Sequence, residues 1–267
     1  MRRLSLILVN LCLLGQVAAF AAPDRESVQF DARRIDFVVG ESKAFLVLPT
    51  KPADDGSKPW IWYAPTFIGG HPDDSHTWMA RQWLDAGFAI GGVEVGESYG
   101  NPDGVARYTA YYEYVRKTYG LDEKPCLLAQ SRGGLMLFNW AAENAEKVQC
   151  IAGIYPVCNL ESYPGIEKAA PAYKLTPQQL QEQLKSYNPV ERVRSIAQAN
   201  IPLLYIHGDV DQVVPVEKNS ALLVERINAA GGNARMILVQ GKGHQVCHEF
   251  FQSQELTSFV LSKGKLK

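Results

Sequence analysis

The chain has 267 residues, enough for one large α/β domain and about the length at which single cores stop growing. Its 46% hydrophobic and 21% charged residues argue against a disordered or fibrous polymer. A net charge of −1, with no basic run beyond Lys263, Lys265 and Lys267, argues against nucleic acid as a partner.

In chain order, Arg2 and Arg3 precede an apolar run, residues 4–14, and a small-residue stretch, residues 17–22, which is the order of a secretory signal. Ala19, Phe20 and Ala21 form an A-x-A pattern that predicts cleavage after Ala21, with cleavage after Ala19 as the alternative. Residues 1–21 therefore read as a signal peptide and residues 22–267 as the mature domain, secreted or periplasmic. The apolar run falls short of the roughly 20 residues that span a bilayer, so no stable membrane insertion is expected after cleavage. Leu11 occupies the position where a lipoprotein signal needs a small residue, which argues against a lipid on Cys12.

Beyond the signal, short β-rich runs alternate with amphipathic stretches, the pattern of a mainly parallel sheet covered on both faces by helices. Residues 35–39 and 44–48 predict a hairpin around Gly40, and residues 60–64 a strand that enters a Pro/Gly-rich loop, residues 65–74. A helix over 77–86, a strand over 88–95 and a helix over 105–119 follow. Residues 125–130 read as a short apolar strand running straight into Ser131. From Arg132 the period becomes helical with little polar face, which predicts a buried helix. Residues 151–157 form the next strand. Residues 163–200, with Thr176 as an N-cap, are the only insertion long enough for a small lid. A strand over 202–207, a helix over 216–229, a strand over 234–239 and a helix over 250–261 complete one domain without internal repeats.

Four cysteines remain after the signal: Cys126, Cys150, Cys158 and Cys247. In an exported protein they could pair in three ways, and spacing does not choose among them. Cys126 lies inside an apolar strand and is expected to be a buried thiol. There is neither a C-x-x-C nor a His/Cys cluster with zinc spacing, so no metal site is expected.

The segment Leu127, Leu128, Ala129, Gln130, Ser131, Arg132, Gly133, Gly134 sets a serine between strand and helix with small neighbours two residues away on each side. It resembles the nucleophile elbow G-x-S-x-G of the α/β-hydrolase superfamily, with Ala129 in place of the first glycine. His207, Gly208, Asp209, Val210, Asp211, Gln212, Val213, Val214 and Pro215 are similar to the segment carrying the triad acid in that family, which assigns the acid to Asp211 and a turn role to Asp209. Gly241, Lys242, Gly243 and His244 resemble the loop that carries the base; His248 is the alternative, and His207 is expected to be structural. Ser131, Asp211 and His244 occur in the order that this fold uses.

The resemblance implies a fold with a mainly parallel twisted sheet of about eight strands, helices on both faces and at most a small lid, and a catalytic domain over residues 22–267. In its motifs the chain is similar to esterases and to prolyl-oligopeptidase-like catalytic domains. A serine hydroxyl needs a base within hydrogen-bond reach, and that base needs a carboxylate to fix its tautomer. By the resemblance the backbone N–H of Arg132 is one oxyanion donor and that of Thr66 or Phe67 the other. The Arg132 guanidinium could also face the oxyanion or an acidic substrate, as the arginine after the nucleophile does in glucuronoyl esterases.

Glu97 and Tyr99, in the loop after one strand, and Tyr155, Pro156, Cys158 and Asn159, after another, are expected at the same sheet edge. Tyr99 and Trp78 are candidate platforms for a sugar or aromatic ring. The expected function is cleavage of carboxylic esters through an acyl-enzyme on Ser131, with acyl groups on polysaccharides the favoured substrate among small-molecule and glycan esters, and without a cofactor. A prolyl-oligopeptidase-like peptidase and a non-catalytic binding protein of the same fold are the rivals.

Overall fold

The computed structural model of the chain describes residues 25–264, so the expected signal peptide, residues 1–21, and its predicted cleavage site lie outside the described residues. In chain order the strands and helices are β1 (Arg25–Gln29), β2 (Ala32–Val39), β3 (Ser42–Val47), β4 (Trp60–Ala64), α1 (Thr77–Asp85), β5 (Ala89–Val93), α2 (Pro102–Tyr119), β6 (Cys126–Gln130), α3 (Gly133–Glu143) and β7 (Cys150–Ile154). Four short helices follow: α4 (Ile166–Ala169), α5 (Pro177–Glu182), α6 (Leu184–Tyr187) and α7 (Val193–Gln198). The chain continues with β8 (Pro202–Gly208), α8 (Ser220–Ala229), β9 (Asn233–Val239), α9 (His248–Phe251) and α10 (Gln254–Lys263).

The strands form one sheet in the order β1-β2-β3-β5-β4-β6-β7-β8-β9. The pairs from β1 to β5 through β3 are antiparallel and all the others parallel. Among the described residues the sheet therefore has nine strands, where about eight were expected. The extra one, β1, exposes four of its five residues and lies at the edge against β2, so it carries no apolar alternation for a sequence reader to detect.

Alternate residues of the central strands feed two cores. Trp60, Trp62, Leu127, Ala129 and Ile151 point to the face covered by α2, α3, α7 and α8. Ile61, Tyr63, Cys126, Leu128 and Ala152 point to the face covered by α1 and α10. This period-2 split makes each strand read as a continuous apolar run, as expected when both faces are covered. A third, smaller cluster lies under the insertion, where Leu160, Ala169, Leu180 and Leu184 pack with Tyr99, Leu135 and Val157. Thr176 does cap α5, with a reciprocal capping box to Gln179.

The cysteine expectation needs correction at one position. Cys126 is not a free thiol but is joined to Cys150, with Cα atoms 4.8 Å apart. The parallel register sets the two residues directly opposite each other on β6 and β7, with both side chains on the face covered by α1 and α10. Cys158 and Cys247 are free, and burial pushes the Cys158 thiol up.

Candidate active site

Small residues let three elements converge at the end of β6. Ala64, Ala129 and Gly153 face one another across β4, β6 and β7. A Cβ on Gly133 would fall 2.1 Å from the Ala64 carbonyl oxygen, so only glycine lets α3 start this close to β4. Ser131 sits in the turn between β6 and α3 with φ of 48°, a left-handed backbone that a non-glycine residue adopts only under strain. The Ser131 N–H donates to Ile154, and its carbonyl accepts from Gly134 and Val157, which fixes the turn.

Ser131 Oγ lies 2.9 Å from His244 Nε2, and His244 Nδ1 lies 2.8 Å from Asp211 Oδ2. His244 follows β9, and Asp211 follows β8; both reach the same carboxyl edge of the sheet as Ser131. The two loops meet closely: a Cβ on Gly208 would lie 2.0 Å from the Lys242 carbonyl oxygen, and the Val210 N–H donates to that oxygen. Asp209 is in the turn, accepting from the Gly241 N–H at 2.6 Å.

The Asp211 side chain is fully buried. Its Oδ1 accepts from the amides of Val213 and Val214 at 2.9 and 2.8 Å, and Oδ2 also lies 3.3 Å from His207 Nε2. Burial alone would raise this carboxyl, but the hydrogen bonds from His207, His244 and the Val214 amide outweigh it and hold the group well below the usual carboxylate range. His207 is itself buried and tied to Ser220 Oγ and the Val214 carbonyl. His248 is exposed beside Glu249 and does not contact Ser131.

A cavity of about 240 Å³ opens over Ser131 and His244, walled by Pro65, His71, Arg132, Tyr155, Gln245 and Val246. The Tyr155 ring lies 4.3 Å from that of His244. Arg132 rests its guanidinium over the Phe67 ring and pairs with Glu97, so Glu97 meets the cavity through Arg132. The backbone N–H groups of Arg132 and Thr66 have no acceptor among the described residues, whereas Phe67 N–H donates to the His71 carbonyl at 3.1 Å. Phe67 is thereby ruled out as an oxyanion donor, because the tight loop 67–71 uses its proton.

Two expected substrate residues lie elsewhere. Tyr99 is buried in the cluster under the insertion, where aromatic area packs better than it would at a rim. Trp78 lines a different, larger cavity with Asp74, Arg81 and Gln252. Conversely, His71 and Gln130 line the cavity and His76 bonds Gln130 behind it, without having been singled out from the sequence. The available signals were a polar residue closing an apolar strand just before the serine, and two histidines five apart in the loop after β4. Among the described residues no group of three or more His, Cys, Asp and Glu could hold a metal ion.

This sheet, with a serine on a strained strand-to-helix turn beside a histidine and a buried carboxylate, defines a serine hydrolase of the α/β-hydrolase type. Residues 104–262 match the prolyl oligopeptidase family, and the chain belongs to that family. No curated protein sequence matches it. Among solved structures it is similar to Est1E from Butyrivibrio proteoclasticus, at 15% identity and a TM-score of 0.64, covering 91% of this chain and 99% of that one. An S-formylglutathione hydrolase from Agrobacterium tumefaciens is similar at 14% identity and a TM-score of 0.68, covering 90% of this chain and 99% of that one. A puromycin-hydrolyzing peptidase from Mycobacterium tuberculosis is similar at 14% identity and a TM-score of 0.69, covering 90% of this chain but 41% of that one.

Proposed function

We propose that the protein is an exported carboxylic-ester hydrolase that works through an acyl-enzyme on Ser131. The observation that carries this reading is the continuous line from Ser131 Oγ through His244 to Asp211, with both contacts under 3 Å. In this scheme His244 Nε2 takes the Ser131 proton as Oγ attacks the acyl carbon, then gives it to the leaving alcohol. Water, activated by the same nitrogen, releases the acid. Asp211 holds the proton-bearing Nδ1 and stabilises the imidazolium. The free N–H groups of Arg132 and Thr66 are the donors for the oxyanion, each worth roughly 10²–10³ in rate.

Ester rather than peptide cleavage is the order we favour, on the likeness of fold to an S-formylglutathione hydrolase. The peptidase reading is kept as a rival because of the family match. Export is supported by the signal-like start and by the Cys126–Cys150 pair, which persists in oxidising compartments. Acyl groups on polysaccharides are the substrate class we favour, on export.

The purified protein should hydrolyse p-nitrophenyl acetate and be labelled at Ser131 by a fluorophosphonate, and Ser131→Ala should lose roughly 10⁴-fold or more of the activity. No turnover and no labelling would leave a non-catalytic binding protein. A proline-containing peptide substrate run in parallel, if cleaved faster than the ester, would reverse the order of the two enzyme readings.

A further inference from the structure

Outside the triad, a set of buried polar side chains converges on the residue before the nucleophile. Gln130, the last residue of β6, is nine-tenths buried. Its Oε1 accepts from Tyr63 Oη at 2.7 Å and from His76 Nε2 at 2.8 Å, and its Nε2 donates to Tyr155 Oη at 3.3 Å. His76 is almost fully buried between the rings of Tyr63 and Phe251, each 5.0 Å from its own. On its other side, His76 Nδ1 lies 3.2 Å from the Asp73 carbonyl oxygen, and Asp73 is held in turn by the Ser75 amide and hydroxyl. Burial pushes the His76 imidazole down from its ordinary value.

The far end of this set reaches the histidine opposite Ser131. Tyr155 follows β7 with φ of 36°, and its ring lies against the His244 imidazole. Gln130 thus touches both halves of the reacting pair: its backbone continues into Ser131, and its side chain holds the phenol that backs His244. An apolar residue would close β6 as well as an amide if filling space were the only requirement, because the other four residues of the strand include no charged or amide side chain. A buried amide with partners on three different elements is costly unless all are satisfied, and when satisfied it fixes their relative positions.

We propose that Gln130 is a positioning residue for the reaction: anchored by Tyr63 and His76, it sets Tyr155 and through it the His244 ring against Ser131. This rests on Ser131 and His244 being nucleophile and base. A base displaced by a fraction of an ångström to 1 Å loses rate without losing substrate.

The test is a double-mutant cycle on p-nitrophenyl acetate with Gln130→Met and Tyr155→Phe, with thermal unfolding recorded for each variant. Gln130→Met should lower kcat about tenfold or more with KM within about twofold. Tyr155→Phe, which keeps the ring and loses the hydroxyl, should lower kcat in the same direction. The double variant should be no slower than the slower single one, because both changes break the same link. A wild-type kcat in Gln130→Met, a loss carried by KM, or losses that multiply would each overturn the proposal. If Gln130→Met does not fold, the rate of fluorophosphonate labelling in His76→Gln decides: slower labelling at unchanged probe affinity supports the link, and a wild-type rate refutes it. An inactive, unlabelled wild-type protein would instead defeat the assignment of nucleophile and base, so the two failures are distinguishable.

Discussion

Asp211 accepts from two backbone amides and faces two histidines, which is why its carboxyl is held low although it is buried. The folded value lies below the unfolded one of about 3.9, so the group stabilises the fold above about pH 4 and ceases to do so as pH falls below that, through the folded value. Urea midpoints followed from pH 7 to pH 3 should fall steeply for the wild type and more gently for Asp211→Asn, which has no proton to take up at that position. The same variant should lose on the order of 10⁴-fold in kcat, because the amide can hold the imidazole in the wrong tautomer. Equal acid sensitivity in the two proteins would mean that other carboxylates dominate acid unfolding.

Gly133 opens α3 against the backbone at the end of β4, and this crossing puts the serine at the mouth of the cavity. Gly133→Ala should destabilise by about 2 kcal/mol or more, since overpacking against backbone cannot relax by a rotamer change; an unchanged melting temperature would show that α3 can shift outward. The parallel strands and long helices were legible in the sequence because two covered faces produce continuous apolar runs and clear changes of period. β1 was not, because its mostly exposed residues pair, among the described residues, only with β2. The pieces of the insertion blurred into one irregular stretch, since helices of four to six residues are too short to show a period. Ser131, Asp211 and His244 were legible through their small flanking residues and their order, whereas Gln130, His71 and His76 depend on which loop folds over which strand. Tyr99 and Trp78 misled for the same reason: an aromatic residue in or near a loop carries no mark of which side it packs on.

At the level of the whole molecule, the Cys126–Cys150 link closes a span of 24 residues and includes the turn at Ser131 within it. A loop of that size contributes about 3 kcal/mol through the unfolded chain. Cys126→Ser should therefore melt several degrees below the wild type under oxidising conditions and match it in dithiothreitol; identical melting in both would show that the pair contributes nothing. The order of the sheet has another consequence. Among the described residues β9 is an edge strand, bonded to β8 alone, and the histidine opposite Ser131 hangs from its end. Edges open before centres. The active arrangement should therefore have a lower threshold of failure than the protein that carries it: in rising urea, turnover should vanish at concentrations where far-ultraviolet circular dichroism still reports an intact fold, and should return on dilution without a refolding lag. Coincident loss of turnover and of circular dichroism would show instead that β9 and the loop after it open only with the whole.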